Sequence, residues 1–348
     1  MTRVVGVMCD YRQVRPGPRP GIRAVVKLMT GRAPRAVRLA VLGGLMPAMI
    51  LAACHATPAP GPSASGPSAA APVAWEPVWS DDFDGAAGTR PAERDWIYRT
   101  GTGYPGGAPQ WGTNEVERMT ADAANAALDG AGRLAVRPLR QGPGAGVWTS
   151  ARLESRRTDF AAPPGGAVRI EALLQMPDVS GPAAAGYWSA FWALGGPARQ
   201  AGATNWPRIG EWDVMENVNG LDSVWHTFHC GTPVGGPCAE PSGISSGQLP
   251  CDQCRTRFHT YAIEYHREVA PEQLRWFVDG RNTFTVRADQ VDPDTWAAAN
   301  QHGFFVIVNV AIGGVFPAQF GGGPTAATKP GVPMLVDRVA VYTSARRN

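Results

Sequence analysis

Gly210-Glu211-Trp212-Asp213-Val214-Met215-Glu216-Asn217 places three carboxylates within six residues. In an extended strand successive side chains alternate faces, so Glu211 and Asp213 share a face with Met215 while Glu216 points away. One extra residue near Val214 or Met215, taken up as a β-bulge, resets the alternation and brings Glu216 round to the face of Glu211 and Asp213. Two glutamates on one concave face, roughly 5–5.5 Å apart, suit glycoside cleavage with retention: one attacks the anomeric carbon and the other protonates the leaving oxygen. Like charges that close resist joint ionisation, so one carboxyl keeps its proton. Without the bulge the same string is an acidic strand edge.

Upstream stand Trp206-Pro207-Arg208-Ile209-Gly210 and Gly186-Tyr187-Trp188-Ser189-Ala190-Phe191-Trp192-Ala193-Leu194-Gly195. With the acidic string they resemble glycoside hydrolase family 16, whose signature couples an F-W-x-L-G strand, a W-P-x-x-G-E turn and E-x-D-x-x-E. Further segments in the family's order are Trp79-Ser80-Asp81-Asp82-Phe83-Asp84-Gly85, Gln110-Trp111-Gly112-Thr113-Asn114-Glu115, Thr149-Ser150-Ala151-Arg152, Phe228-His229-Cys230-Gly231 and Asn309-Val310-Ala311-Ile312-Gly313-Gly314. The resemblance spans about residues 76–344. It implies an all-β fold, a β-jelly-roll sandwich of the concanavalin A-like lectin/glucanase type, with two antiparallel sheets bent around a glycan cleft. It also implies Glu211 as nucleophile, Glu216 as general acid/base and Asp213 as the neighbour that orients Glu211. Asn114 is expected beside the bound sugar, although Thr113 and Met119 depart from the usual asparagine and tyrosine. Arg152 is expected at the cleft or paired with Glu154 or Glu171, and His229, not His226, matches the family's histidine. Asp337 matches a position that binds calcium in many relatives; no cofactor is required otherwise.

Within Tyr187 to Leu194, alternation puts Trp188, Ala190 and Trp192 on one face and Ser189 and Phe191 on the other. The resemblance makes the tryptophan face the cleft. Flat indoles suit the axial C–H surface of β-linked glucose, so Trp188, Trp192 and Trp206 are expected sugar platforms. Trp212, between two cleft-facing acids, points the opposite way into the core. Asp279-Gly280 between two apolar runs predicts a hairpin, and Asp294 to Asn300 one short helix. Cys230, Cys238, Cys251 and Cys254 in a Gly/Pro-rich stretch favour disulfides over a zinc or redox site, with 230–238 and 251–254 preferred among three pairings.

The chain has 32 Lys/Arg and 29 Asp/Glu. Nine of the basic residues lie in the first 54 positions against Asp10 alone, leaving 23 basic and 28 acidic residues, a net of about −5, in the rest. The basicity belongs to the leader, so no nucleic-acid partner is inferred. Residues 1–28 read as an upstream extension before an alternative start at Met29, and 29–53 as a signal peptide with an apolar run from Leu39 to Ala53. The run ends in Leu51-Ala52-Ala53-Cys54, which resembles a lipobox and implies lipidation of Cys54. Residues 54–74, rich in Ala, Pro, Ser and Gly, then form a spacer, and 75–348 the catalytic domain. The chain is thus expected to be exported, as a monomer tethered to the cell envelope or secreted, with membrane contact only through Cys54.

The bulged acidic string is typical of laminarinase-like members, which makes β-1,3-glucan the leading substrate, with mixed-linkage glucan and galactan open. The rivals are a transglycosylase with the same residues and a non-catalytic glucan-binding module. The module would dispense with one glutamate, and this chain has both.

Overall fold

The computed structural model describes residues 74–345. Cys54, the leader and the spacer up to residue 73 lie outside the described residues. The fold is an all-β jelly-roll sandwich of two large antiparallel sheets, with three short α-helices. One sheet contains β1 (Trp96–Arg99), β2 (Arg152–Ser155), β3 (Tyr187–Gly195), β4 (Glu211–Val218), β5 (Ser223–His229) and β6 (Phe304–Ile312). They run in the order β5-β4-β3-β6-β2-β1, with the short strands Ile244–Ser245 and Leu249–Pro250 on β5. The insertion of β6 between β3 and β2 makes the connections cross the sandwich rather than meander.

The second sheet runs Arg281–Arg287, Gln273–Val278, His259–His266, Ala167–Gln175, Met334–Ser344, Leu134–Val136, Ala126–Leu128, with Glu76–Asp81 also on Met334–Ser344. The expected hairpin turns at Asp279 (φ 49°) and Gly280 (φ 75°), left-handed at both positions as a tight two-residue loop requires. The expected short helix is Pro293–Asn300, started by Asp292, whose side chain accepts from the Thr295 amide.

Strand alternation sorts the sheet faces. Phe191 and Ala193 of β3, Trp212 and Val214 of β4, and Phe304, Val306, Val308 and Val310 of β6 enter the interior. They meet Ile170, Ala172, Tyr261, Ile263, Trp276 and Val341 from the second sheet. Trp212 is fully buried and stacks on Phe304 with ring centroids 3.7 Å apart, so it serves the core as the alternation predicts. β6 is buried along its whole length because its other face is covered too. The tryptophans divide accordingly: Trp96, Trp148, Trp212 and Trp276 are interior, whereas Trp188, Trp192 and Trp206 lie on the opposite side of the first sheet.

Candidate active site

Between Asp213 and Glu216 the β4–β5 register slips: Asp213 pairs with Thr227 and Glu216 with Trp225, so Val214 and Met215 together oppose His226. On the other edge Phe191 pairs with Met215 and Trp192 with Asp213, leaving Val214 as the extra residue. This is the bulge the carboxylate spacing demands, and its effect is visible in burial: Val214 and Met215 both enter the core, while Glu211, Asp213 and Glu216 all line one cavity. Two buried donors hold the bulged carbonyls. Trp276 Nε1 donates to the Asp213 carbonyl at 2.8 Å, and His226 Nδ1 lies 2.8 Å from the Val214 carbonyl. Gly210 immediately precedes the strand, with φ 76°, and a Cβ there would sit 1.9 Å from the Ala299 carbonyl oxygen; only glycine fits this entry to the acidic stretch.

The cavity holds about 200 Å³. The first sheet forms its floor through Trp188, Ala190, Trp192, the three acids, Arg152 and Asn309; Tyr104, Trp111, Thr113, Glu115 and Trp206 come from the walls. Trp188 Nε1 donates to Glu216 Oε1 at 2.9 Å, and Trp192 Nε1 to Asn309 Oδ1 at 2.8 Å, which fixes both indoles. Arg152 is buried, with its guanidinium carbon 4.4 Å from the Trp111 ring centre and 4.7 Å from that of Trp192. Its Nε lies 3.3 Å from Glu154, and Nη2 donates to the Tyr104 hydroxyl at 2.7 Å.

Burial pushes both Glu211 and Glu216 above the ordinary carboxylate range, and the neighbouring Asp213 adds to the rise in both. The cations of His229 and Arg152 counteract it at Glu211. At Glu216 the Trp188 N–H and His229 do so. His229 is the reverse case: burial disfavours its charge, but Asp213, Glu240 and Glu211 overcome burial and hold it well above the usual imidazole range. Glu211, Asp213 and His229 offer ligand atoms within 4.8 Å of one another. Both ring nitrogens of His229 lie near carboxylate oxygens, at 3.2 Å from Asp213 and 2.7 Å from Glu240.

The β-glucanase of Rhodothermus marinus is 32% identical over 282 residues, covering 77% of this chain and 85% of that protein. The crystal structure of endo-1,3-β-glucanase from Streptomyces sioyaensis superposes with a TM-score of 0.76 at 54% identity, over 80% of this chain and all of the other. SCLam, a non-specific endo-β-1,3(4)-glucanase of glycoside hydrolase family 16, superposes at 0.58 with 25% identity, over 80% and 94%. No family model matches the sequence. This chain belongs to glycoside hydrolase family 16, in its laminarinase-like branch.

In this family 16 cleft the expected residues fall unevenly. Glu211, Asp213, Glu216, Arg152, Trp188, Trp192 and Trp206 all line the cavity. His229 stands at its edge, with its ring 5.5 Å from that of Trp206. Asn114 is exposed at φ 63° and outside the cavity lining, to which its neighbours Thr113 and Glu115 contribute. The left-handed turn sends 113 and 115 inward, so Asn114 here is a turn residue. Arg152 combines both readings, since it pairs with Glu154 and lines the cleft; Glu171 is engaged elsewhere, by Arg169. The disulfides are Cys230–Cys238 and Cys251–Cys254, the preferred pairing. Asp337 sits at a register shift on Met334–Ser344, and the three-ligand grouping found among the described residues lies elsewhere.

Sequence reading missed Tyr104 and Glu240, and named Glu154 only as a partner for Arg152. Tyr104 and Glu154 form a buried cluster in which Glu154 also meets Arg99 at 2.8 Å. Burial works to raise the Glu154 carboxyl, but Arg152 and Arg99 hold it below the usual range. Trp111 and Asn309 were visible in quoted motifs without a role; Glu240 had no local signal at all.

Proposed function

We propose that this chain is an endo-acting, retaining hydrolase of β-glucan, with β-1,3-glucan as its substrate. The observation that carries the reading is the Val214 bulge, which turns Glu211 and Glu216 toward the same cavity on either side of Asp213. The relatives named endo-1,3-β-glucanase and β-glucanase support the substrate class.

Glu211 attacks the anomeric carbon as the bond to the departing sugar breaks, and the leaving oxygen takes the proton of Glu216. Glu216 then removes a proton from water, which displaces Glu211 from the glycosyl ester and restores both groups. The charges support these roles. His229 favours the ionised form of both glutamates, but the Arg152 cation adds to it at Glu211, whereas at Glu216 burial, Asp213 and Glu211 all favour a retained proton. The chemistry needs no cofactor, because side chains supply the nucleophile and move every proton. Trp188, Trp192 and Trp206 offer ring surfaces for the glucan.

Glu211→Gln and Glu216→Gln are expected to lose at least ~10²-fold in turnover with the fold retained. Full activity in Glu211→Gln would defeat the assignment. Reducing-end release from laminarin, mixed-linkage glucan and agarose tests the linkage, and laminarin should lead. The same digests, analysed for longer products, separate hydrolysis from transfer.

The Leu51-Ala52-Ala53-Cys54 ending supports export with lipid attachment at Cys54. Globomycin or Cys54→Ala should alter processing and release the protein from membranes; unchanged fractionation would remove this part of the reading.

A further inference from the structure

His229 ends β5, and the next residue, Cys230, is tied to Cys238. Two residues after that cystine comes Glu240, whose side chain is completely buried. The backbone N–H groups of Gly235 and Glu240 each donate to the other's carbonyl, at 2.7 and 2.8 Å, and Glu240 Oε1 accepts from the Cys230 amide at 2.9 Å. The remaining oxygen, Oε2, lies 2.7 Å from His229 Nδ1. On the far side of the ring, Nε2 is 3.2 Å from Asp213 Oδ2 and 3.9 Å from Glu211 Oε1.

We propose that Glu240 is a positioning residue, carried on the disulfide-closed insertion, which keeps His229 doubly protonated so that its Nε2–H faces Asp213 and Glu211. The inference rests on reading Glu211 as the nucleophile. A carboxylate only accepts, so the short contact to Glu240 requires a proton on Nδ1. A bare Nε2 would then set its lone pair near the oxygens of Asp213 and Glu211, of which Asp213 Oδ2 is buried with no hydrogen-bond partner. A second proton removes that repulsion and leaves an imidazolium between anions. The charged groups facing the ring are Glu211 and Asp213 from β4 and Glu240 from the insertion; Glu216 adds its field from further along β4, and Arg152 acts on Glu211. The remaining neighbour, Trp206, is uncharged. A fixed positive charge here lowers the proton affinity of Glu211 and holds it ready to attack. Glu240 does not line the cavity; its own anion raises the proton affinity of Glu211, but by less than the His229 cation that it sustains lowers it.

Nitrogen NMR of the histidine side chains in the intact protein, with His229 assigned against His229→Gln, tests this directly. Both His229 nitrogens should carry protons across the pH range of activity. A single neutral tautomer there would overturn the proposal, whether or not any variant folds. In Glu240→Gln the charged form should be lost at lower pH than in the parent, and the acidic limb of kcat/KM should move to higher pH with KM little changed. Glu240→Asp should restore part of both shifts. A folded Glu240→Gln protein with the parent's His229 titration and unmoved pH limbs would reduce Glu240 to a structural role and overturn the proposal, even if its Tm fell. Because the NMR readout does not depend on turnover, a protonated His229 beside a fully active Glu211→Gln enzyme would defeat the hydrolase assignment and leave the ion pairing standing.

Discussion

Asp213 is the residue on which the charges of the cleft converge. It raises the proton affinity of both Glu211 and Glu216 and lies within ion-pair range of His229. Activity should rise with pH as Glu211 releases its proton and fall as Glu216 loses its own. Asp213→Asn removes the anion that raises both groups, so both limbs of the kcat/KM profile should move to lower pH, together with a fall in turnover. A pH series of initial rates on laminarin checks this, and limbs that stay in place would show that burial alone sets the two carboxyls. The cations of His229 and Arg152 moderate the same cluster, which is why Glu211 can ionise beside Asp213.

At the scale of the element, the bulge in β4 needs partners for the carbonyls it removes from the ladder. His226 and Trp276 provide them from the interior. His226 donates from Nδ1 to Val214, and its Nε2 lies 3.0 Å from the Thr283 hydroxyl, which can donate to it. His226→Leu leaves the Val214 carbonyl buried without a partner and should cost about 1–3 kcal/mol at neutral pH. It should also lower turnover, because the turn that presents Glu216 loosens. Burial depresses the His226 pKa from 6.5 to about 4, so between those values the unfolded chain binds the proton that the folded one refuses. This contribution to stability is whole above pH 6.5 and is lost as pH falls toward 4, on the order of 3 kcal/mol. Denaturant titrations at a series of pH values should therefore show the gap between parent and His226→Leu narrowing as pH falls through that window. A constant gap would mean that His226 does not titrate there.

Over the whole molecule, the cleft is assembled from residues far apart in the chain. Tyr104 and Trp111 precede β2, Trp206 precedes β4, and Asn309 lies on β6, yet all border one cavity. The Cys230–Cys238 loop stands behind His229, outside the cavity lining. Opening it by Cys238→Ser should cost roughly 2–3 kcal/mol by loop closure. It should also disturb activity more than that loss of stability explains, since Glu240 is displaced with it. Thermal melts and laminarin kinetics on the same preparation separate the two effects; reduced Tm with unchanged kinetics would confine the cystine to stability.

Residue order alone determined a good deal here. The E-x-D-x-x-E spacing demanded a bulge if both glutamates were to share a face, period-two alternation set Trp212 opposite the acids and put Trp188 and Trp192 on a common face, and Asp279-Gly280 announced its hairpin. All of these are local consequences of strand geometry, which a few neighbouring residues decide. Asn114, placed by motif, turned out exposed, because the φ of a single loop residue decides its direction and spacing does not encode that angle. Glu240 and Tyr104 were beyond reach for another reason. Their meaning lies in partners eleven and forty-eight positions away, set by how the insertion folds back and how the segment after β1 reaches β2. Only the closed sandwich, by desolvating those groups together, turned isolated acids and hydroxyls into a charge network.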